Sequence, residues 1–138
     1  MPKINVHELQ NRYWNVGILP DAGGSIAYCQ ARKRRDLYDV MRPTAEQDYH
    51  NPSFSSSFLM IPWSNRIRDG RFQFEGKSYQ LGDLKADGTA MHGDVRNHKL
   101  TIEDDDETSI ILSFESISYE NVNFPFHFYA RVTYALED

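Results

Sequence analysis

The chain has 138 residues, with 15 Lys and Arg against 20 Asp and Glu, which gives a formal net charge of −5 when its histidines are neutral. This length suits one ordinary domain, and an apolar content of 40% is enough for a core, which excludes disordered and collagen-like chains. The acidic balance argues against nucleic acid as a partner. No apolar run approaches the roughly 20 residues that a membrane span needs, and the first residues lack a secretory signal. We therefore expect no membrane partner and a cytoplasmic location.

Strand-like segments begin the chain. Residues 13–19 and 25–30 are rich in apolar and aromatic side chains and are separated by the turn residues 20–24, which predicts a hairpin or meander. Cys29, the single cysteine, is expected to be an inert buried thiol. The basic run at residues 32–35 stands alone, which favours a solvated surface over a nucleic-acid patch or localisation signal. Residues 42–57 are polar and predict a long loop of the kind that often carries function.

The second half of the chain also predicts strands. Residues 72–74 and 77–79 flank Glu75 and Gly76, a pair that suits a tight hairpin turn. Residues 99–102 and 110–114 are strand-like, and the acidic run 103–107 between them is expected to be a solvated hairpin tip. This run lacks the interleaved Gly and distal Glu of a calcium loop, so no metal is expected. Residues 126–136 alternate with period 2 and predict the last strand. The fold class is therefore all-β.

Two short motifs contain side chains suited to a polyhydroxylated ligand. Asn65 and Arg66 place an amide beside a guanidinium, and Trp63 offers an aromatic face for sugar C–H groups. His92 lies in a Gly-flanked turn, where an imidazole can donate or accept a hydrogen bond near neutral pH. From these patterns alone, a surface ion pair is the favoured interpretation of Arg66, and a hydrogen-bonded loop histidine that of His92.

The motifs together resemble the aldose 1-epimerases, also called galactose mutarotases. The resemblance rests on residues 62–72, 76–81 and 92–93, and it extends in the same order over residues 19–26, 40–43 and 124–138. It implies a β-supersandwich, a sugar-binding cleft, and interconversion of the α and β anomers of a free hexose without a cofactor. The chain, residues 1–138, is interpreted as one galactose mutarotase-like domain that corresponds to the family's N-terminal half.

The resemblance also implies roles for individual residues. Asn65 and Arg66 fall on the family's Asn-Arg, which holds sugar hydroxyls, and Trp63 is expected to lie close by. His92 falls on the first active-site histidine and is the expected catalytic residue. The family's general base, a glutamate, and its second histidine lie beyond the matching part. His7, His50, His98 and His127 are interpreted as structural or solvated.

Two functions follow as alternatives. In the first, the chain is the sugar-holding half of an epimerase that a second chain or another copy of itself completes. In the second, it is a non-catalytic carbohydrate-binding or vestigial module. A third interpretation is that the resemblance concerns the fold alone, against which the presence of Asn65, Arg66 and His92 together argues. Because a half-sandwich leaves sheet edges unpaired, we expect a homo-oligomer or a second chain that supplies the missing half, with residues 126–136 as the contact surface.

Overall fold

The computed structural model describes residues 3–138, and it confirms the all-β fold class. The first sheet is an antiparallel meander in which the strands follow one another in chain order. Its strands are β1 (His7–Gln10), β2 (Trp14–Leu19), β3 (Ser25–Lys33) and β4 (Asp36–Asp39). The turn between β2 and β3 contains a short 3-10 helix, Pro20–Ala22, as its Pro and Gly residues favour.

The remaining strands form one three-stranded sheet and two strand pairs. β5 (Arg66–Arg68) pairs with β8 (Thr89–Met91), and the hairpin of β6 (Arg71–Phe74) and β7 (Lys77–Gln80) lies between them in sequence. Glu75 and Gly76 both have positive φ, +48° and +76°, as a two-residue hairpin turn of the predicted kind requires. β9 (Thr101–Asp105), β10 (Ser109–Glu115) and β11 (Tyr129–Ala135) form an antiparallel sheet in the order β11-β10-β9.

The core lies between the four-stranded and three-stranded sheets. It contains buried side chains from both sheets and from the segment that precedes β9: Leu9, Val16, Ile18, Val95, Leu100, Ile110, Leu112 and Phe114. Hydrogen bonds join the two sheets at their margins, including Leu100 N–H to the Pro20 carbonyl (2.9 Å) and the Tyr134 hydroxyl to the Gly24 carbonyl (2.7 Å). The result is a sandwich, and the β5–β8 region lies in sequence between the strands of its two sheets.

The last strand is shorter than predicted. β11 covers Tyr129–Ala135 rather than residues 126–136, although the predicted alternation holds within it, because Tyr129 is exposed and Val132 is partly buried. Residues 126–128 leave the strand because Ser116 holds Phe128: the Phe128 N–H donates to Ser116 Oγ at 2.8 Å, and its carbonyl accepts from Ser116 N–H at 2.9 Å.

The acidic run is only partly a hairpin tip. Its first three residues belong to β9, and the turn begins at Asp106, whose carboxylate accepts from the N–H groups of Thr108 (2.8 Å) and Ser109 (2.7 Å). The strand extends into this run because Asp104 and Asp105 pair with Ile111 and Ile110 of β10. The Glu103 carboxylate accepts from Tyr129 and Arg131 of β11 at 2.7 and 2.9 Å. All five acidic side chains are exposed, as expected.

The loop at residues 42–57 contains no strand and two 3-10 helices, Glu46–Asp48 and Pro52–Phe54. Within residues 3–138, no helix is long and apolar enough to cross a membrane. The cytoplasmic location stays a prediction, as does the absence of a nucleic-acid partner.

Candidate functional site

The antiparallel pairing of β5 with β8 brings Asn65 and His92 opposite each other. Both residues lie just beyond the paired strands and have positive φ, +56° and +64°. The His92 N–H donates to the Asn65 carbonyl at 2.8 Å, while Arg66 is paired with Met91. Two residues far apart in sequence are therefore held side by side by backbone, which places the Arg66 and His92 side chains at one end of the strand pair.

The turn after His92 is fixed against the segment that precedes Trp63. The carbonyl of Ile61 accepts hydrogen bonds from the N–H groups of Asp94 (2.8 Å) and Val95 (3.1 Å). Gly93 has a φ of +70°, and a Cβ there would lie 2.1 Å from the Ile61 carbonyl oxygen. Only glycine fits so close a backbone approach, and this glycine sets the position of His92.

Arg66 is half exposed and makes one ion pair. Its Nε lies 3.3 Å from Asp87 Oδ2, and both side chains are open to solvent. The pKa of Asp87 is lowered mainly by the hydrogen bonds that its carboxylate accepts from the Thr89 side chain and backbone, with a smaller effect of the Arg66 charge. The carboxylate orients the guanidinium without enclosing it, so the remaining N–H donors of Arg66 are available to a ligand.

His92 is partly buried, and its Nδ1 is fully enclosed without a hydrogen-bond partner in residues 3–138. Its ring packs at 5.5 Å from the ring of Phe58. Burial lowers the pKa of His92, and the positive charges of Arg96 and Arg66 lower it further. The imidazole is therefore neutral at neutral pH and offers one nitrogen as donor and one as acceptor.

Trp63 faces an aromatic cluster. Its ring stacks on Phe124 with centroids 6.0 Å apart, and Phe124 stacks in turn on Phe72 of the hairpin at 6.1 Å. The Trp63 Nε1–H is enclosed and lacks a hydrogen-bond acceptor in the described chain. Trp63, two residues before Asn65, therefore connects the site to the β6–β7 hairpin through Phe124. Its contact with a ligand stays a prediction.

The site is open. Asn65 and Arg66 are exposed. A cavity of about 850 Å³ lies elsewhere, lined by Lys3, Ile4, Asp21, Glu46, Gln47, Tyr49, His50 and Lys99. The sugar-binding cleft implied by the resemblance stays a prediction.

Phe58 and Arg96 belong to the site region and were not singled out from the sequence. The Arg96 guanidinium lies 5.0 Å from the Phe58 ring centroid, on the ring that also packs against His92. The only sequence signal for Arg96 is its place shortly after His92 in a glycine-containing turn. Nothing in residue type separates a buried arginine from a solvated one.

His98 has a structural environment. Its Nε2 lies 2.6 Å from Asp94 Oδ2, and its ring packs against Phe114 (5.3 Å) and Tyr119 (5.4 Å). Asp94 also accepts a hydrogen bond from Asn123 N–H at 3.0 Å, so the pair ties the turn to a neighbouring loop.

Comparison with known proteins agrees with the resemblance to the aldose 1-epimerases. A sequence model described as aldose 1-epimerase matches residues 6–138. Among solved structures, the chain is similar to the GalM/aldose epimerase homologue from C. elegans, with a TM-score of 0.81, 18% identity, and coverage of 98% of this chain and 42% of that one. It is also similar to a provisionally assigned aldose 1-epimerase from Escherichia coli K12 (TM-score 0.76, 20% identity, 96% and 42% coverage). A galactose mutarotase related enzyme from Lactobacillus acidophilus has a TM-score of 0.68, 23% identity, and coverage of 96% and 39%. The chain thus spans about two fifths of the length of these structures.

Proposed function

Because the chain belongs to the aldose 1-epimerase family, we propose that it forms the sugar-holding part of an enzyme that interconverts the α and β anomers of a free hexose. One observation carries this proposal. The β5–β8 pairing holds Asn65, Arg66 and His92 together at one end of a strand pair, with the amide and the guanidinium exposed and a neutral imidazole beside them. Directional donors grouped on an open surface suit the hydroxyls of a sugar.

Each predicted residue has a role that its geometry permits. The Arg66 guanidinium and the Asn65 amide donate to sugar hydroxyls from the exposed end of β5. The neutral imidazole of His92 positions the sugar and stabilises the changing charge on the ring oxygen during ring opening. Trp63 supports the hydroxyl-binding segment through its stacking on Phe124.

Mutarotation requires two further proton transfers. A base removes the proton of the anomeric hydroxyl while an acid protonates the ring oxygen; the C1–O5 bond breaks, the aldehyde rotates about C1–C2, and the ring closes on the other face. The family's glutamate base and second histidine match no residue of this chain. We propose that they come from a second polypeptide or from another part of a longer protein.

The open geometry favours one alternative, a non-catalytic carbohydrate-binding module. Asn65 and Arg66 are exposed, so a sugar bound there keeps part of its water, and electrostatic stabilisation of a transition state is screened. Both functions include binding of a sugar, and only the epimerase also catalyses interconversion of its anomers.

Polarimetry with freshly dissolved α-D-galactose separates these functions. We expect weak hexose binding by titration calorimetry and no acceleration of mutarotation over buffer by the chain alone, because general acid-base transfer is typically worth about 10²–10⁴-fold per group. A rate well above buffer that disappears in His92→Ala but persists in the exposed control His127→Ala would mean that these 138 residues assemble a complete site.

The sugar-binding role of Arg66 has its own test. Arg66→Lys should weaken hexose binding, because a point charge cannot reproduce a two-point fork. Arg35→Lys, in the exposed turn between β3 and β4, is the matched control. Equal hexose affinity in the two variants would contradict the assignment of Arg66.

Association through β11 is the second part of the proposal. β11 is an edge strand, and its Tyr129 side chain is 56% exposed. We expect self-association or binding of a second chain, measured by sedimentation velocity over a range of concentrations. Thr133→Lys on β11 should weaken it, and Thr101→Lys on the opposite edge, β9, should not, because a lysine on an edge strand opposes strand addition. A monomer at all concentrations that binds no complementing chain would overturn this part.

A further inference from the structure

Hairpin turns of opposite charge lie at the same end of the sandwich. The basic run 32–35 closes the hairpin of β3 and β4, and it adjoins the turn between β1 and β2, where the Arg32 N–H donates to the Tyr13 carbonyl at 2.7 Å. The turn that follows β9 is at this end too, because the Gln10 N–H at the end of β1 donates to the Glu107 carbonyl at 2.8 Å. Each sheet therefore contributes a charged turn to one end of the molecule.

The basic run does not stand alone in the folded chain. Arg12, in the turn between β1 and β2, joins it, and its guanidinium packs over the Tyr13 ring at 5.1 Å from the centroid. Together these cations form a basic patch that consists of Arg12, Arg32, Lys33, Arg34 and Arg35. Only Arg32 is partly buried, and within residues 3–138 no member of the patch makes an ion pair. Asp36 lies opposite Lys33 in register and offsets part of the charge, which leaves a clear positive excess.

The acidic turn beside the basic patch also has free charges. Two residues of the run 103–107 have cationic partners, since Glu103 lies 2.9 Å from Arg131 and Asp105 lies 3.6 Å from His7. The other members of the run are exposed and form an acidic patch that consists of Asp104, Asp106 and Glu107. Among residues 3–138 no ion pair includes these three carboxylates, so neither patch neutralises the other.

Exposed apolar side chains accompany the basic patch. Tyr13 is 40% exposed, Leu37 42% and Tyr38 53%, and Leu37 lies opposite Arg32 in the register of β3 and β4. Arginine and tyrosine are enriched at protein–protein interfaces, whereas lysine is depleted there. The basic patch has four arginines and one lysine, so its composition suits a protein partner better than a solvated surface.

We propose that two copies of this chain dimerise end to end, with the basic patch of each copy against the acidic patch of the other. Because both patches lie at one end of the same chain, a two-fold axis pairs them twice, and the contact closes at two copies. It uses turns beyond the strand ends, so it is separate from association through β11 and goes beyond the proposed function. A nucleic acid is a less suitable partner, because the acidic patch and the net charge of −5 repel it.

Charge reversal tests this pairing. The first variant carries Lys33→Glu, Arg34→Glu and Arg35→Glu, and the second carries Asp104→Lys and Glu107→Lys. All five side chains are exposed, so both variants should fold by circular dichroism. Each variant alone presents two patches of like charge, and its self-association in sedimentation velocity should be at least about tenfold weaker than that of wild type. An equimolar mixture should associate again, because one variant has two acidic patches and the other has two basic ones.

Controls locate the contact. The mixture should still associate when both variants also carry Thr133→Lys, which opposes strand addition at β11. Lys77→Glu reverses an exposed charge in the β6–β7 hairpin and should leave self-association unchanged. Raising NaCl from about 0.05 M to about 0.5 M should weaken the wild-type dimer at least about tenfold, because salt screens exposed charges. This last measurement needs no variant.

The proposal would be overturned by a mixture that stays monomeric, by self-association that is unchanged in both variants, or by wild type that is monomeric at all concentrations. Loss of the association on adding Thr133→Lys would assign it to β11 and also overturn the end-to-end contact. Tight binding of heparin by wild type, without association of the mixture, would assign the basic patch to a polyanion instead of a second copy. Hexose binding should be the same in both variants as in wild type, so the proposed function is tested separately.

Discussion

The sandwich and the inserted segment, residues 61–96, differ in how many of their enclosed polar atoms are hydrogen-bonded. The inserted segment lies in sequence between the strands of the two sheets. In the sandwich, buried hydroxyls are bonded: Ser25 Oγ donates to the Ala22 carbonyl at 2.9 Å, and Tyr134 donates to the Gly24 carbonyl at 2.7 Å. Asn15 is the exception, since its Nδ2 donates to Gln30 at 3.1 Å and its Oδ1 has no partner in the described chain. In the inserted segment, Trp63, His92 and Arg96 each have an enclosed nitrogen without a partner.

This difference separates the region that stabilises the fold from the region that carries the candidate site. The sandwich owes its stability to apolar burial and satisfied hydrogen bonds. The inserted segment holds its side chains by backbone contacts, from Asn65 to His92 and from Ile61 to the turn, and leaves their polar atoms unsatisfied. Four changes test this division, from the largest expected effect to the smallest.

The sandwich core should be the most sensitive region. Phe114 is 1% exposed, and Phe114→Ala should lower the free energy of unfolding by about 3–5 kcal/mol, because it removes buried area and leaves a cavity. Phe74 of the hairpin is 51% exposed, and Phe74→Ala should cost about 1 kcal/mol. Urea denaturation measures both, and similar losses would mean that the hairpin contributes to the core.

Gly93 should be the critical backbone position of the inserted segment. Gly93→Ala introduces a Cβ that would lie 2.1 Å from the Ile61 carbonyl oxygen at a φ of +70°, so both clash and strain oppose it. Gly76→Ala has a similar φ of +76° with no atom within 4 Å, so it isolates the strain, about 1–2 kcal/mol. We expect Gly93→Ala to cost more than Gly76→Ala and to move the His92 NMR signals. Equal costs would contradict the backbone argument.

Tyr134 tests whether the sandwich depends on its satisfied polar groups. Tyr134→Phe leaves the Gly24 carbonyl without its donor and should lower the free energy of unfolding by about 0.5–1.5 kcal/mol. Tyr38→Phe, on a side chain 53% exposed, should be near neutral. Burial also raises the pKa of Tyr134 to about 12, so an ultraviolet titration of Tyr134→Phe should lack one of the late-ionising tyrosines of the wild type. No difference between the two variants would contradict this role.

The smallest effect concerns pH. The pKa of His92 is lowered in the folded chain from its ordinary value of 6.5, so the unfolded chain binds more protons in this range and stability falls as pH falls below that ordinary value. His92→Gln should remove this part of the pH dependence, and His127→Gln should keep it. Denaturation midpoints measured between pH 7 and pH 5 test this prediction. The same dependence of the midpoint on pH in wild type and His92→Gln would show that protonation of His92 is not linked to folding.

Much of the fold was predictable because strand periodicity and turn chemistry are local. The hairpin turn at Glu75 and Gly76 and the alternation within β11 followed from residues adjacent in sequence. The errors arose where a distant residue intervenes. Ser116 Oγ takes the Phe128 N–H where the last strand begins, and pairing with β10 holds Asp104 and Asp105 of the acidic run in β9.

The sequence by itself determined the all-β class, through strand periodicity and turn residues, and its resemblance to the aldose 1-epimerases identified the family and grouped Asn65, Arg66 and His92. Only the tertiary structure decided that Asn65 and His92 meet through a 2.8 Å backbone hydrogen bond, that Trp63 stacks on Phe124, and that Arg96 is buried beside His92 without a counter-charge. The physical reason is that burial and charge pairing depend on which distant segments pack together. An arginine in a turn has the same local sequence pattern whether water or a phenylalanine ring covers it.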